Sequence, residues 1–163
     1  MTENFVSNDF IVPKKLETDT FRLRMLTVDD VEKDYEAVMS SREHIRELYS
    51  EEDDDTWPEE SMTIEENLED LRRHQNEFLE RKAFVYTVMS LDESLCLGCI
   101  YINPSEKKAF DAEISLWARA SEVENGLEKL LFETVKGWIK TEWPFKNVAY
   151  PGLEIGWDKW ESM

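Results

Sequence analysis

The sequence predicts one α/β domain built on a mixed, mostly antiparallel sheet with helices on both faces. Five short strand-like runs recur along the chain, two long amphipathic helices interrupt them, and three of the strands follow one another through short turns. The 163 residues are the usual size of one domain. Hydrophobic residues make up 41%, including eight Phe, six Trp and five Tyr, which is enough apolar surface for a single core. No internal repeat or linker divides the chain.

Residues 1–20 read as an N-terminal arm and residues 21–163 as the domain. Met1 to Leu16 lacks a basic start followed by an apolar stretch, so it does not read as a signal peptide. Phe21 to Leu26 alternates apolar and basic residues, the period of a strand. Thr27 is placed to cap the next helix, with Asp30 three residues on. That helix carries Val31, Tyr35, Val38 and Met39 at helical spacing and ends near Ser40–Ser41. Arg42 to Leu48 forms a further short turn or helix. The acids Glu51 to Asp55, followed by Trp57-Pro58, read as a loop.

Thr63-Ile64-Glu65-Glu66 is a capping box. It opens a helix from about Ile64 to Arg81 with Ile64, Leu68, Leu71, Gln75, Phe78 and Leu79 on one face and His74 on the polar side. Phe84 to Met89, Leu95 to Ile102 and Phe110 to Arg119 form a meander. The third run places Ala112, Ile114, Leu116 and Ala118 on one face and Asp111, Glu113, Ser115 and Trp117 on the other. A second long helix spans about Glu124 to Glu142, with Leu127, Leu130, Leu131, Thr134, Val135, Trp138 and Ile139 as its buried stripe, and Pro144 ends it. Val148-Ala149-Tyr150 is the last strand. A helix between two strands predicts that they run parallel.

The 37 acidic and 19 basic residues give a formal charge of −18. Such a surface repels phosphate backbones and anionic headgroups, so no nucleic acid and no membrane is expected as a partner. It attracts basic substrates, or it serves solubility alone. No apolar run reaches the roughly 18 residues that span a bilayer, and a cytoplasmic location is expected. Cys96 and Cys99 form a lone C-x-x-C with no second pair to complete a zinc site, so no metal is expected. Strand alternation predicts that they point to opposite faces as buried, reduced thiols.

Phe21 to Leu26 with Thr27-Val28-Asp29-Asp30, then Leu97-Gly98-Cys99-Ile100-Tyr101-Ile102, then Ala112 to Arg119, resemble the first, third and fourth strands of the GNAT acyltransferase superfamily. The resemblance runs from about Phe21 to Tyr150. It implies the GNAT fold and transfer of an acetyl group from acetyl-CoA to a small-molecule or peptide amine. In the family, the loop after the fourth strand reads Arg/Gln-x-x-Gly-x-Gly/Ala, and its N–H groups cradle the pyrophosphate at a helix N-terminus. Here the matching residues are Val123-Glu124-Asn125-Gly126-Leu127-Glu128. Gly126 keeps the middle position, Val123 replaces the basic or amide residue, and Glu128 replaces the last small one.

By resemblance, Leu116, Trp117, Ala118, Asn125, Gly126 and Leu127 would hold the cofactor, and Glu113 would be the base. Arg42, His44 and Tyr101 would line the acceptor site. Glu122, Glu124 and Glu128 place carboxylates where the pyrophosphate would sit, and acids in a first turn stabilise the helix itself. The alternative is therefore a catalytically inactive GNAT-fold module that binds a ligand or a protein. The family's last helix and strand pair, with the Tyr that protonates the leaving thiolate, have no counterpart after Tyr150. A second copy covering the thin side of the sheet would make a homodimer. Trp157-Asp158-Lys159-Trp160 reads as a turn pinned onto the body or as a dimer contact.

Overall fold

A computed structural model describes residues 5–49 and 57–163. The acidic run expected as a loop, Glu51 to Asp55, lies outside the described residues. The strands are β1 (Lys15–Glu17), β2 (Phe21–Met25), β3 (Phe84–Ser90), β4 (Cys96–Asn103), β5 (Ala112–Ala118) and β6 (Val148–Ala149). The helices are α1 (Val31–Ser40), α2 (Arg42–Leu48), α3 (Ile64–Leu79), α4 (Ala120–Val123), α5 (Leu127–Glu142) and α6 (Trp157–Ser162). The sheet order is β1-β2-β3-β4-β5-β6. Every neighbouring pair is antiparallel except β5–β6, which is parallel across the α5 connection, as a helical crossover requires.

The segment read as an arm is part of the fold. Its residues 15–17 pair with β2, Val6 is buried in the core, and the Tyr86 hydroxyl donates to the Pro13 carbonyl at 2.6 Å. Arg81 fixes the same segment by donating to the carbonyls of Ser7 and Phe10. A three-residue strand carries too little alternation to be found by period, so only tertiary contacts reveal it.

Two apolar layers flank the sheet. On one face Phe21, Leu23, Tyr86, Ile100, Ile114 and Leu116 pack with Leu131, Val135, Trp138 and Ile139 of α5 and with Trp143. On the other, Val85, Met89, Cys99 and Trp117 pack with Ala37 and Val38 of α1, Ile45 of α2 and Leu71 of α3. Leu79 and Leu130, expected in the buried stripes, lie exposed. The long helix expected from about Glu124 starts at Leu127 instead: α4 is a separate short turn before it, and Gly126 takes the left-handed conformation at φ 83° at the entry to α5.

The two cysteines do not point to opposite faces. Val88 pairs with Gly98 but Met89 pairs with Cys96, a register shift that inserts Leu97 as a bulge. The alternation slips by one there, and Cys96 and Cys99 both join the helix α1–α3 layer. Both are free, and burial pushes the Cys96 thiol up to about 12 and the Cys99 thiol well above its usual value.

The pairing of β5 with β6 covers only Ala112–Val148 and Glu113–Ala149. The pairing stops at Glu113, where β6 ends, and beyond it no strand among the described residues lies on that edge of β5. After β6 come a tight turn and α6. Its Trp160 is buried beside Phe110, and the Trp157 indole donates to the Leu48 carbonyl at the end of α2. The tail is thus pinned onto its own body.

Candidate functional site

The free edge of β5 is met by side chains instead of a strand. Tyr49 follows α2 directly, and its hydroxyl both accepts from the Leu116 N–H at 3.0 Å and donates to the Leu116 carbonyl at 2.7 Å. One pleat further on, the Ala118 N–H donates to Glu128 Oε2 at 3.0 Å. Past the strand end, the Ala120 N–H donates to the buried Ser41 hydroxyl at 2.8 Å. Three backbone donors that no strand satisfies are therefore satisfied from α2, α5 and the α1–α2 junction. Burying them unmet would cost about 1–3 kcal/mol each.

Glu128 sits in the first turn of α5, where its charge also complements the helix dipole. Its Oε2 is shared with His44 Nε2 at 2.6 Å, with both side chains less than a fifth exposed. The junction between β5 and α4 is fixed by Arg119, which is buried. It forks onto both oxygens of Glu36 at 2.9 and 2.8 Å and donates to the Cys96 carbonyl.

Beside Tyr49 lies a cavity of about 430 Å³ between α1, α3 and the β4–β5 face. Asp34 and Asn67 are buried in its floor, and Tyr49, Trp57 and Trp117 wall it. The Trp117 indole donates to the Tyr101 hydroxyl at 3.0 Å, which holds both rings in place. Asn67 Nδ2 donates to Asp34 Oδ2 at 3.0 Å, while Asn67 Oδ1 has no hydrogen-bond partner among the described residues. Burial raises the Asp34 carboxyl to about 6, with the like charges of Asp30 and Asp70 adding to it and the Asn67 bond opposing it. Burial also lowers the His74 imidazole to about 4. His74 is thus neutral near pH 7, and its 3.9 Å approach to Glu77 is too long for a hydrogen bond.

The expected site residues do not form one cluster. Tyr101 lines the cavity. Leu116, Trp117 and Ala118 lie on β5 beside it, and Asn125, Gly126 and Leu127 form the turn into α5, where Asn125 Nδ2 donates to Glu122. Arg42 and His44 do not join Tyr101. They line a separate surface groove with Ser40, Glu43 and Glu47, because α2 turns them toward α4 and α5. Glu113 is half-buried in a small cavity of about 80 Å³ with Asn103 and Trp157; Tyr49 and Ser115 line both this cavity and the larger one.

The cavity residues that sequence reasoning did not place in a site are Asp34, Tyr49, Asn67 and His74. Asn67, Asp70 and His74 recur at helical spacing, so a polar stripe beside the apolar one with Leu71 is present in the pattern. Nothing in the sequence says that this stripe faces a cavity instead of solvent.

No protein-family model and no curated protein sequence matches the chain. Solved structures do. A ribosomal-protein-S5-alanine acetyltransferase from Vibrio fischeri superposes with a TM-score of 0.59 at 15% identity, covering 77% of this chain and 66% of that one. A ribosomal L7/L12 alpha-N-protein acetyltransferase in complex with coenzyme A gives 0.54 at 18% identity, covering 77% and 67%. A GNAT-family acetyltransferase from Bacillus anthracis gives 0.52 at 17% identity, covering 78% and 67%. The chain spans about two thirds of the length of each. Its fold is the GNAT fold.

Proposed function

We propose that this GNAT-fold chain transfers an acetyl group from acetyl-CoA to an amine, carried by a small molecule or a peptide, that enters the cavity against Tyr101 and Trp117. The observation that carries this reading is the end of the β5–β6 pairing at Glu113, with the cavity opening beside the bared edge at Tyr49. Fold likeness alone would not support an activity.

The donor set suits coenzyme A in kind. The Leu116 and Ala118 N–H groups would hold the amides of its pantetheine arm. Asn125, Gly126 and Leu127, at the left-handed turn into α5, would face its pyrophosphate. Two tenants have to leave first, the Tyr49 hydroxyl and the Glu128 carboxylate. Acetyl-CoA, when bound, supplies an activated acyl group. Glu113, with Ser115 between it and the cavity, accepts the proton of the attacking amine in this reading. Arg42 and His44 have no acceptor role here; His44 instead helps hold Glu128 in place.

The same two tenants favour a second reading, a catalytically inactive module whose cofactor groove is filled by its own side chains. Calorimetric titration of the wild-type protein and of Glu128→Ala with acetyl-CoA separates the two. Transfer predicts saturable binding that tightens when the carboxylate is removed. Absence of binding by both proteins leaves the inactive module.

A further inference from the structure

We infer that the cavity between α1 and α3 is a binding site for an organic cation, an ammonium or guanidinium head seated on Asp34 and Asn67 with its carbon body against Trp57 and Tyr49. This rests on the cavity alone and stands whether or not the chain transfers an acyl group.

Two independent observations point to a cation. The first is Asp34, 4% exposed and paired with no cation among the described residues. Its hydrogen-bond partner is the neutral amide of Asn67, and the charges that act on it are the like charges of the Asp30 and Asp70 carboxylates. A buried carboxylate without a counter-charge is costly, and proteins keep one where something arrives to meet it. The second is Asn67, 1% exposed, whose Oδ1 is an orphan acceptor in the same floor. Its Nδ2 is already committed to Asp34, so what remains at the floor accepts hydrogen bonds and does not donate them. An ammonium on Asp34 would find two acceptors side by side, and the neutral His74, whose Nδ1 is also without a hydrogen-bond partner among the described residues, lines the same cavity without adding a charge that opposes a cation.

The walls fit the same ligand. The half-buried Trp57 and Tyr49 present aromatic surface, which attracts a cation as well as a hydrocarbon chain, and the fully buried Trp117 backs them. Leu26 and Leu71 complete an apolar belt. Arg73, the one cationic side chain on the lining among the described residues, is exposed and paired with Asp70 at 3.7 Å, so it stands at the rim and not over the floor. The net charge of −18 draws cations toward the mouth.

The cation on Asp34 is charged and so is not itself a nucleophile. If the chain acetylates amines, a ligand with two basic groups, one anchored on Asp34 and one reaching β5, satisfies both sites.

The test uses the whole protein without acetyl-CoA. Benzylammonium, tryptamine and agmatine are titrated against wild type, Asp34→Asn and Asp70→Asn, with benzyl alcohol as the neutral isostere of the first. Binding is followed by calorimetry and by NMR shifts of the Asn67 side-chain amide and the Trp117 indole. The expected result is saturable binding of at least one cation that shifts both signals, is at least about tenfold weaker in Asp34→Asn, and is at least about tenfold weaker for benzyl alcohol. Asp34→Asn keeps the shape and the Asn67 bond, so a loss there reads charge; Asp70→Asn, at the half-exposed mouth, loses less. Equal binding by Asp34→Asn, equal binding of benzyl alcohol, or no binding by all three cations overturns the inference. Loss of acetyl-CoA binding leaves it untouched.

Discussion

The carboxylate of Glu128 reaches back from the first turn of α5 and accepts the Ala118 N–H of β5 at 3.0 Å. One side chain thereby ties the helix that would receive an anion to the strand that would lie along its ligand. Glu128→Ala leaves the Ala118 donor for water or a ligand and strips His44 of its partner. We expect a loss of about 1–2 kcal/mol of stability, because the bond is charge-assisted and the site only partly wet. Denaturant unfolding measures it. Glu128→Gln keeps the acceptor and should lose less than half as much.

Tyr49→Phe removes one hydroxyl that serves both the N–H and the carbonyl of Leu116. The ring stays, so packing against Trp157 is retained. The expected cost is about 1–2 kcal/mol. Amide hydrogen exchange at Leu116 should accelerate more than at Ile100, which keeps its strand partners.

Asp34 has a folded-state value of about 6 against 3.8 for the ordinary group. The folded protein therefore holds a proton that the unfolded chain has released between those values. The contribution of Asp34 to stability falls as pH rises from about 4 to about 6 and stays low above that. Asp34→Asn abolishes this slope and should raise stability at about pH 8 by on the order of 2 kcal/mol. Melting temperatures of both proteins across this range check it. Curves that stay parallel would mean that Asp34 is not strained by its burial.

Gly98 has no room for a side chain. A Cβ there would lie 2.2 Å from the Trp117 carbonyl oxygen, a backbone atom that cannot swing aside. Gly98→Ala forces β4 from β5 next to the bulge at Leu97 and should cost about 3 kcal/mol or more. Gly126→Ala meets nothing within 4 Å, yet it sits at φ 83°, so its cost is backbone strain of about 1 kcal/mol. The chevron or melting midpoints of the two variants should differ accordingly.

Much of the fold was legible because its boundaries are marked by chemistry. Thr63 and Glu66 exchange hydrogen bonds at the start of α3 as the capping box requires, and α5 ends at Glu142, with Trp143 as its cap directly before Pro144. The alternation of β5 correctly assigned Leu116 and Ala118 to one core and Trp117 to the other. The misses have physical causes. β1 is too short to show a period, and the bulge at Leu97 reverses the parity that alternation assumes. The site was less legible than the fold. His44 looked like an acceptor residue by position along the chain, but the turn from α1 to α2 sends it to Glu128. His74 looked like a solvent residue on a helical wheel, but the face it shares with Asn67 and Asp70 closes over a cavity. Which polar stripe meets solvent depends on packing partners far away in sequence.

Release of free coenzyme A thiol from acetyl-CoA, measured with and without a diamine bound in the cavity, tests acyl transfer most directly. The expected result is amine-dependent release that falls at least about tenfold in Glu113→Gln while binding of acetyl-CoA is retained. No release by wild type or by Glu128→Ala, at amine and acetyl-CoA concentrations that saturate binding elsewhere in the GNAT fold, would contradict it.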